Sequence, residues 1–452
     1  MCGVHRLADA EEWHFRLVPV IFSLAGIVLL WRWQRAMGPL ACFLAGLFVA
    51  LSPVQTYYAR YFIQESLFVF FSFAVLLSGY AYLRQPASWR ALLFGVSLGL
   101  LHATKETSVL VVGSVVVALM LFGWKELIQL KLPLSRHWIR HAAWGLGGGM
   151  AVIIVLFSAF FSHGRGPLDA FLTYASYFTR AEGAGSAALH DKPWYYYFAL
   201  LFHTHRMAGP HWSEAPFLLL GFVGMGMGLL QRGLPRNVDA HFLRFFAIYT
   251  LLLCSVYSVI PYKTPWNLLP FYSALLLLAG VGTAGLLEGL LRMQRPLLRW
   301  GGTALLVAFL GWSLLWMARL NWASNHTYAA DVRNPYVYAH TSTALMRLVD
   351  RVQQIASVSP GGRLGPVYII KPDGDYWPLP WYLRKQDRVG YWQHLPQLSE
   401  VPFIIADIRL QQELDARLDG GYHMEMHALR PDVKLLACIR KDLWDAFMAT
   451  RR

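Results

Sequence analysis

The chain has 452 residues, 56% of them hydrophobic and only 15% charged, with 18 Trp and a positive mean hydropathy. A water-soluble globule of this length carries more charge, so that class is excluded. The formal charge of +14 would suit a nucleic-acid binder, but its placement along the chain excludes that reading as well.

In chain order, residues 1–16 read as an outer amphipathic segment without the apolar core of a cleavable signal peptide. Apolar stretches able to cross a bilayer then recur through residues 17–319, the expected transmembrane domain. The expected spans are Leu17–Trp31, Gly38–Val54, Leu67–Leu83, Ala91–His102, Thr107–Trp124, Ala142–Phe161, Ala215–Leu230, Phe245–Ile260, Asn267–Leu290 and Gly301–Met317. That makes about ten, with Ala91–His102 short for the roughly 20 residues a span needs.

The loops on one side carry Arg32, Arg35, Arg84, Arg90, Lys125, Lys131, Arg136, Arg140, Arg232, Arg236, Arg244, Arg292, Arg295 and Arg299 against only Glu126, Asp239 and Glu288. Loops on the other side balance nine cations with nine acids, and the tail from Arg319 holds 17 against 14. The excess sits on alternate short loops, which orients the protein with those loops in the cytoplasm. The amino terminus then starts outside, with a first span expected but missing. Cys2, Cys42, Cys254 and Cys438 show neither paired nor metal-ligand spacing.

Past Leu320 the long apolar runs stop, and residues 320–452 read as a small extracytoplasmic α/β domain. "NPYVYAHTSTALMRLVDRVQQIASV" predicts a loop and an amphipathic helix. "GPVYII", "VPFIIADI" and "VKLLACIR" predict strands. Tyr376, Trp377, Trp381 and Tyr382 in "DYWPLPWYLR" either stack on carbohydrate or pack within that domain. "GPLDAFLTYASYFTR", on the long segment 162–214, predicts a helix with Leu168, Phe171, Leu172, Tyr174 and Phe178 on one side.

Four outer loops hold polar groups that need a reason. They are "YYARYFIQES" with Arg60 and Glu65, "HATKETS" with Lys105 and Glu106, "HDKPWYYY" with His190, Asp191 and Lys192, and "YKTPWNLLPF" with Lys263. Snorkelling toward headgroups would explain Arg60 and Lys263. Local Arg60–Glu65 or Lys105–Glu106 pairs would explain the acids. The sharper reading is one outer-leaflet cavity in which cations hold a lipid-linked phosphate and a carboxylate orients or deprotonates a hydroxyl.

These motifs, with "SPVQTYYARYFIQESLFVFF", "ATKET", "NPYVYAHTS" and "DYWPLPWYLR", resemble the GT-C superfamily of membrane glycosyltransferases. The branch is that similar to dolichyl-phosphate-mannose protein mannosyltransferases, including a flippase-activity-associated subgroup. The resemblance runs from about residue 8 to about residue 440. It implies a polytopic α-helical enzyme of the cell (inner) membrane that takes a sugar from a polyprenyl-phosphate donor at the outer face. It also implies inversion at the anomeric carbon, with an acid of the first outer loop as base.

The family position for a second acidic or polar group falls on Glu65, although Gln64-Glu65-Ser66 stands where an Arg-Glu-Asp-like sequence is common. The family's first span and its loop have no counterpart, and Asp9, Glu11 and Glu12 lie too close to Leu17 to replace them. The expectation is therefore an N-terminally incomplete transferase, with a non-catalytic protein for flipping or presenting lipid-linked sugars as the alternative. Glu65 is the catalytic candidate, positioning the acceptor or a divalent ion. Arg60, Lys105, Glu106, His190, Lys192 and Lys263 are the substrate-binding candidates. The partners are membrane lipid, a polyprenyl-phosphate-linked sugar and a protein, lipid or glycan acceptor, with no nucleic acid.

Overall fold

Proline in the first turn opens five of the apolar helices in this computed structural model, where its missing N–H costs nothing. The structure describes residues 11–122, 137–181, 190–362, 364–398, 400–430 and 433–451. Cys2, Asp9, Lys125, Glu126, Lys131 and Arg136 lie outside them, as does the side chain of Phe178. Two compact units are present, Glu12–Ala329 and the residues from Ala330 onward.

Counting helices of seven residues or more, the first unit comprises α1 Glu12–Leu30, α2 Pro39–Leu51, α3 Pro53–Ala59, α4 Glu65–Arg84, α5 Ser88–Thr104, α6 Ser108–Phe122 and α7 Trp138–Phe157. It continues with α8 Gly166–Ala181, α9 Tyr196–Phe202, α10 Ala215–Leu230, α11 Ala240–Val259, α12 Leu269–Leu291 and α13 Pro296–Trp322. Each stretch read as a span holds one of these helices. Among the described residues six helices are long and apolar enough to cross a bilayer, or seven if α2 and α3, bent by 66° at Ser52, count as one. The expected Ala91–His102 lengthens to 17 residues because Ser88–Arg90 and Ala103–Thr104 continue the helix. Conversely α10, at 16 residues, falls short of the roughly 30 Å hydrocarbon core.

The α12 helix is buried all round from Leu269 to Gly285, as an apolar helix without a polar face must be. Its closest neighbour is α10: a Cβ on Gly224 would lie 1.8 Å from the Leu278 carbonyl oxygen. Helices α5 and α7 meet in the same way, where a Cβ on Gly95 would lie 1.8 Å from the Gly145 oxygen. Between apolar helices in lipid, such backbone approach is the main source of packing energy. The chain is an integral membrane protein.

The second unit adds α14 Thr343–Val358, α15 Gln411–Leu418 and α16 Lys441–Ala449 around a five-stranded mixed sheet. Its strands are β1 Val367–Ile370, β2 Val389–Trp392, β3 Phe403–Asp407, β4 Tyr422–Arg430 and β5 Val433–Arg440, in the order β2-β1-β3-β5-β4. Strand β1 is parallel to both β2 and β3, while β5 runs antiparallel to β3 and β4. Alternation sorts the side chains. Ile369, Phe403, Ile405, Leu435 and Ala437 face α14 and α16, whereas Ile404, Ala406, Leu436 and Cys438 pack with Leu414 and Leu418 of α15. In "DYWPLPWYLR", Leu379 and Leu383 enter the first core and Tyr376 and Tyr382 pack against it. Arg384 covers the Trp381 ring at 3.9 Å, and Trp377 alone of the four aromatics is 63% exposed.

At the carboxyl ends of β1 and β3, buried Lys371 pairs with Asp407 at 2.5 Å, and Arg409 reaches both Asp407 and Asp373. Hydrogen bonds from Arg409, then from Lys371, hold the Asp407 carboxyl well below the usual range against the opposing effect of burial. A depressed folded-state pKa means stability is present above the unfolded value and is lost as pH falls through the folded one. Acidification below about pH 4 should therefore loosen β1 and β3 in the full chain, read as hydrogen exchange corrected for intrinsic pH dependence. Asp407→Asn should reproduce part of the loss at neutral pH, about 1–3 kcal/mol, because buried Lys371 then keeps only the more exposed Asp373 at 3.3 Å. Unchanged exchange in both experiments would mean the pair carries no stability.

Candidate functional site

Helix α4 begins at Glu65, α5 ends at Thr104, α11 ends at Val259 and α12 begins at Leu269, so these four termini share one end of the bundle. The residue after α5, Lys105, has an extended backbone (φ −159°, ψ 140°) that turns its side chain away from the helix. Its ammonium donates to Glu65 Oε1 at 2.6 Å and to Asn267 Oδ1 at 2.8 Å. Glu65 is 1% exposed. The sequence left open local Arg60–Glu65 and Lys105–Glu106 pairs; the pair that forms instead joins the first loop to the second.

Burying two charges costs several kcal/mol per ion, and their attraction offsets this only where the remaining lone pairs are satisfied. Here they are not. Glu65 Oε2 has no hydrogen-bond partner among the described residues, nor does the buried hydroxyl of Thr264. The Tyr257 hydroxyl lies against Thr107 and the Tyr197 hydroxyl against Asn267. Buried polar groups are satisfied in more than nine cases of ten, so an open carboxylate oxygen among buried hydroxyls marks a candidate contact for a polar ligand.

The third and fourth loops meet through their backbones. Lys192 N donates to Pro261 O at 3.1 Å and Lys263 N to His190 O at 3.0 Å, with Asp191 and Tyr262 bridged antiparallel. Lys263, 1% exposed, places its ammonium on the carbonyl oxygens of Lys192 and Ile260. Burial lowers its pKa, with Asp191 pulling the other way. Its charge thus closes this two-stranded ladder. The His190 ring lies 4.6 Å from that of Tyr262, and burial, helped by the charge of Lys192, lowers its pKa so that the neutral ring prevails at pH 7.

Arg60 follows α3 and donates to the Asn325 backbone oxygen at 3.1 Å, tying the Arg60–Gln64 turn to the end of α13. Glu106 is half-buried and makes no ion pair among the described residues. The structure therefore joins Glu65, Lys105 and Asn267 by side chains, and His190, Lys192 and Lys263 by backbone. Both groups meet on the short segment Lys263–Asn267. No three His, Cys, Asp or Glu side chains gather as a metal-holding group among the described residues.

Two features escaped sequence reasoning. Asn267, Thr107, Tyr197 and Thr264 lie inside the quoted motifs, but only charged residues there were read as chemistry. Glu214 was taken merely as the end of a long segment. It is fully buried and accepts from Ser52 Oγ at 2.5 Å, Val54 N at 2.8 Å and Tyr272 OH at 2.8 Å. These bonds fix the bend between α2 and α3 to α12. Glu214→Ala should leave three buried donors open, at about 1–3 kcal/mol each, and lower the thermal unfolding midpoint. An unchanged midpoint would show that water replaces the carboxylate.

With that geometry in hand, comparison with known proteins places the fold. The model of the family described as dolichyl-phosphate-mannose-protein mannosyltransferase matches residues 1–163. No curated protein matches. Among solved structures the chain is similar to ArnT from Cupriavidus metallidurans bound to undecaprenyl phosphate, at 14% identity and a TM-score of 0.53, covering 96% of this chain and 85% of that one. It is likewise similar to the apo state of that protein, at 14% identity and a TM-score of 0.51, covering 96% and 84%. The chain shares the fold of that protein, a polytopic helical bundle with a small α/β domain.

Proposed function

We propose that this GT-C-folded chain is a membrane glycosyltransferase that moves a sugar from a polyprenyl-phosphate donor to an acceptor at the outer face of the cell membrane. The single observation that carries the reading is the buried Glu65–Lys105–Asn267 group, with Glu65 Oε2 left open among buried hydroxyls at one end of the helices. The likeness to a protein solved with undecaprenyl phosphate supports the donor class.

In this reading, Glu65 Oε2 takes the proton of the acceptor hydroxyl as that oxygen attacks the anomeric carbon. The bond from that carbon to the phosphate oxygen breaks, and the lipid phosphate leaves with one more negative charge. Protonation neutralises Glu65 at the same moment. Lys105, held between the two, is then free to pair with the new charge on the phosphate. A preorganised cation aimed where charge develops is the largest single contribution a site of this kind can make. Lys192 and His190 would add phosphate or sugar contacts from the neighbouring ladder, and Glu106 an acceptor contact. Arg60 and Lys263 position the loops rather than touch substrate, because their donors rest on carbonyl oxygens.

The alternative, a non-catalytic protein that presents or helps flip lipid-linked sugars, needs the same cations but no base. The full chain reconstituted with polyprenyl-phosphate sugars separates the two. Transfer to an acceptor that depends on Glu65 supports the enzyme; tight donor binding with no transfer to protein, lipid or glycan acceptors supports the carrier. No donor binding at all would sink both.

A further inference from the structure

Far from Glu65, the other end of the same helices forms a half-open cavity of about 550 Å³. Its walls come from α4, α5, α6, α7 and α11, with Leu76, Phe94, Leu98, Val115, Leu119 and Phe245 among the lining side chains. Protein interiors hold few voids larger than a water molecule, and this volume is that of a ligand pocket. Along most of its length the wall is apolar and offers water few of the polar partners it needs.

Polar groups gather at one end. Tyr82 OH and His141 Nδ1 share a hydrogen bond of 3.2 Å, and Tyr80 OH donates to Asp239 Oδ2 at 2.9 Å. Arg84 closes the rim at 3.5 Å from Asp239. Asp239 N donates to Ala36 O at 2.8 Å, which brings the Gln34–Met37 turn, with Arg35, against the same end, so Arg84 and Arg35 stand near one carboxylate. Arg84 ends the helix that Glu65 begins, which at 1.5 Å per residue separates them by about 28 Å. Trp138 and Leu146, both lining residues, are 53% and 71% exposed on the outer surface of α7, so the cavity borders the bilayer.

We propose that this cavity binds the hydrocarbon chain of an inner-leaflet lipid, whose anionic phosphate headgroup rests at Arg84 and Arg35. The chain matches the apolar walls, and the headgroup matches the excess of positive charge at the rim. The site is separate from the Glu65–Lys105–Asn267 group and does not depend on what that group does. Two lipid classes present this chemistry: a bilayer phospholipid with an anionic headgroup, and a polyprenyl phosphate lying in the inner leaflet.

The test uses the full chain in vesicles containing phosphatidylglycerol with a photoreactive group at the end of one acyl chain. In parallel, a polyprenyl phosphate carries the group on its terminal isoprene. The expected result is labelling of peptides that contain Leu98 or Leu119 by at least one probe. Val115→Trp or Leu98→Trp, which fill the cavity from different walls, should cut that labelling about tenfold with the thermal midpoint kept. Two filling variants are used so that a folding failure in one leaves the other to decide. A phosphatidylcholine probe of the same chain length should label less, and Arg84→Gln should remove that difference. Whichever anionic probe labels identifies the lipid class. Absence of label at these peptides overturns the proposal. So does polyprenyl label that Lys105→Ala abolishes, because the chain would then hang from the Glu65 end. Equal labelling by phosphatidylglycerol and phosphatidylcholine overturns the role given to the rim.

Discussion

Glu65→Gln is expected to slow sugar transfer by about 10²–10⁴-fold while leaving donor affinity within a few-fold, because the amide keeps the shape but cannot accept the proton. The geometry gives this substitution its force. The side chain is 1% exposed, one oxygen is held by Lys105, and the other has no partner among the described residues. A carboxylate present only to neutralise Lys105 would not need a second, buried oxygen left open. Measurement of kcat and donor Kd on the purified full chain decides the matter. A variant with unchanged kcat would remove Glu65 from the chemistry, and one that lost donor binding as well would make it a structural partner of Lys105.

Lys105→Met should be the more damaging single change, because it strikes both folding and function. It leaves Glu65 buried without its cation, at a cost of about 3–5 kcal/mol, and removes the charge proposed to meet the leaving phosphate. Asn267 Oδ1 loses its donor too. Stability and chemistry separate in the double variant. Glu65→Gln combined with Lys105→Met replaces the ion pair by neutral groups and should recover most of the lost thermal stability, as removal of a whole buried pair commonly does. It should not recover transfer or donor affinity. If Lys105→Met alone kept both its unfolding midpoint and its donor affinity, the pair would be worth little and the proposed phosphate contact would fall. The comparison of single and double variants is a double-mutant cycle, which isolates the pairwise coupling from the two separate losses.

The carboxylate at the start of an apolar run was legible early, since an ionisable group beside a span needs a reason. Its partner was not. Lys105 is 40 residues away in sequence, and the nearer candidates Arg60 and Glu106 offered pairs that sequence spacing alone could not reject. Arg60 turned instead to Asn325, a contact spanning 265 residues. The place of Tyr197 and Tyr257 in the site was illegible for a related reason. Tyrosine near a membrane interface is ordinary, and only packing sets these two against Asn267 and Thr107. Strands β2 and β4 were missed because "VGYW" is short and "YHMEMHALR" carries His and Glu that read as loop.

What the sequence determined by itself was the class of the protein. Apolar length, alternate basic loops and a break in composition near Leu320 follow from the solvent each segment must meet, and solvent preference is a local property of the chain. The tertiary structure decided which polar groups belong together. Close helix contacts at Gly95 and Gly224 and the bend at Ser52 set which loops meet at each end of the bundle. Those contacts are long-range, and a hydrogen bond between residues 40 or 162 positions apart leaves no periodicity in the sequence to read.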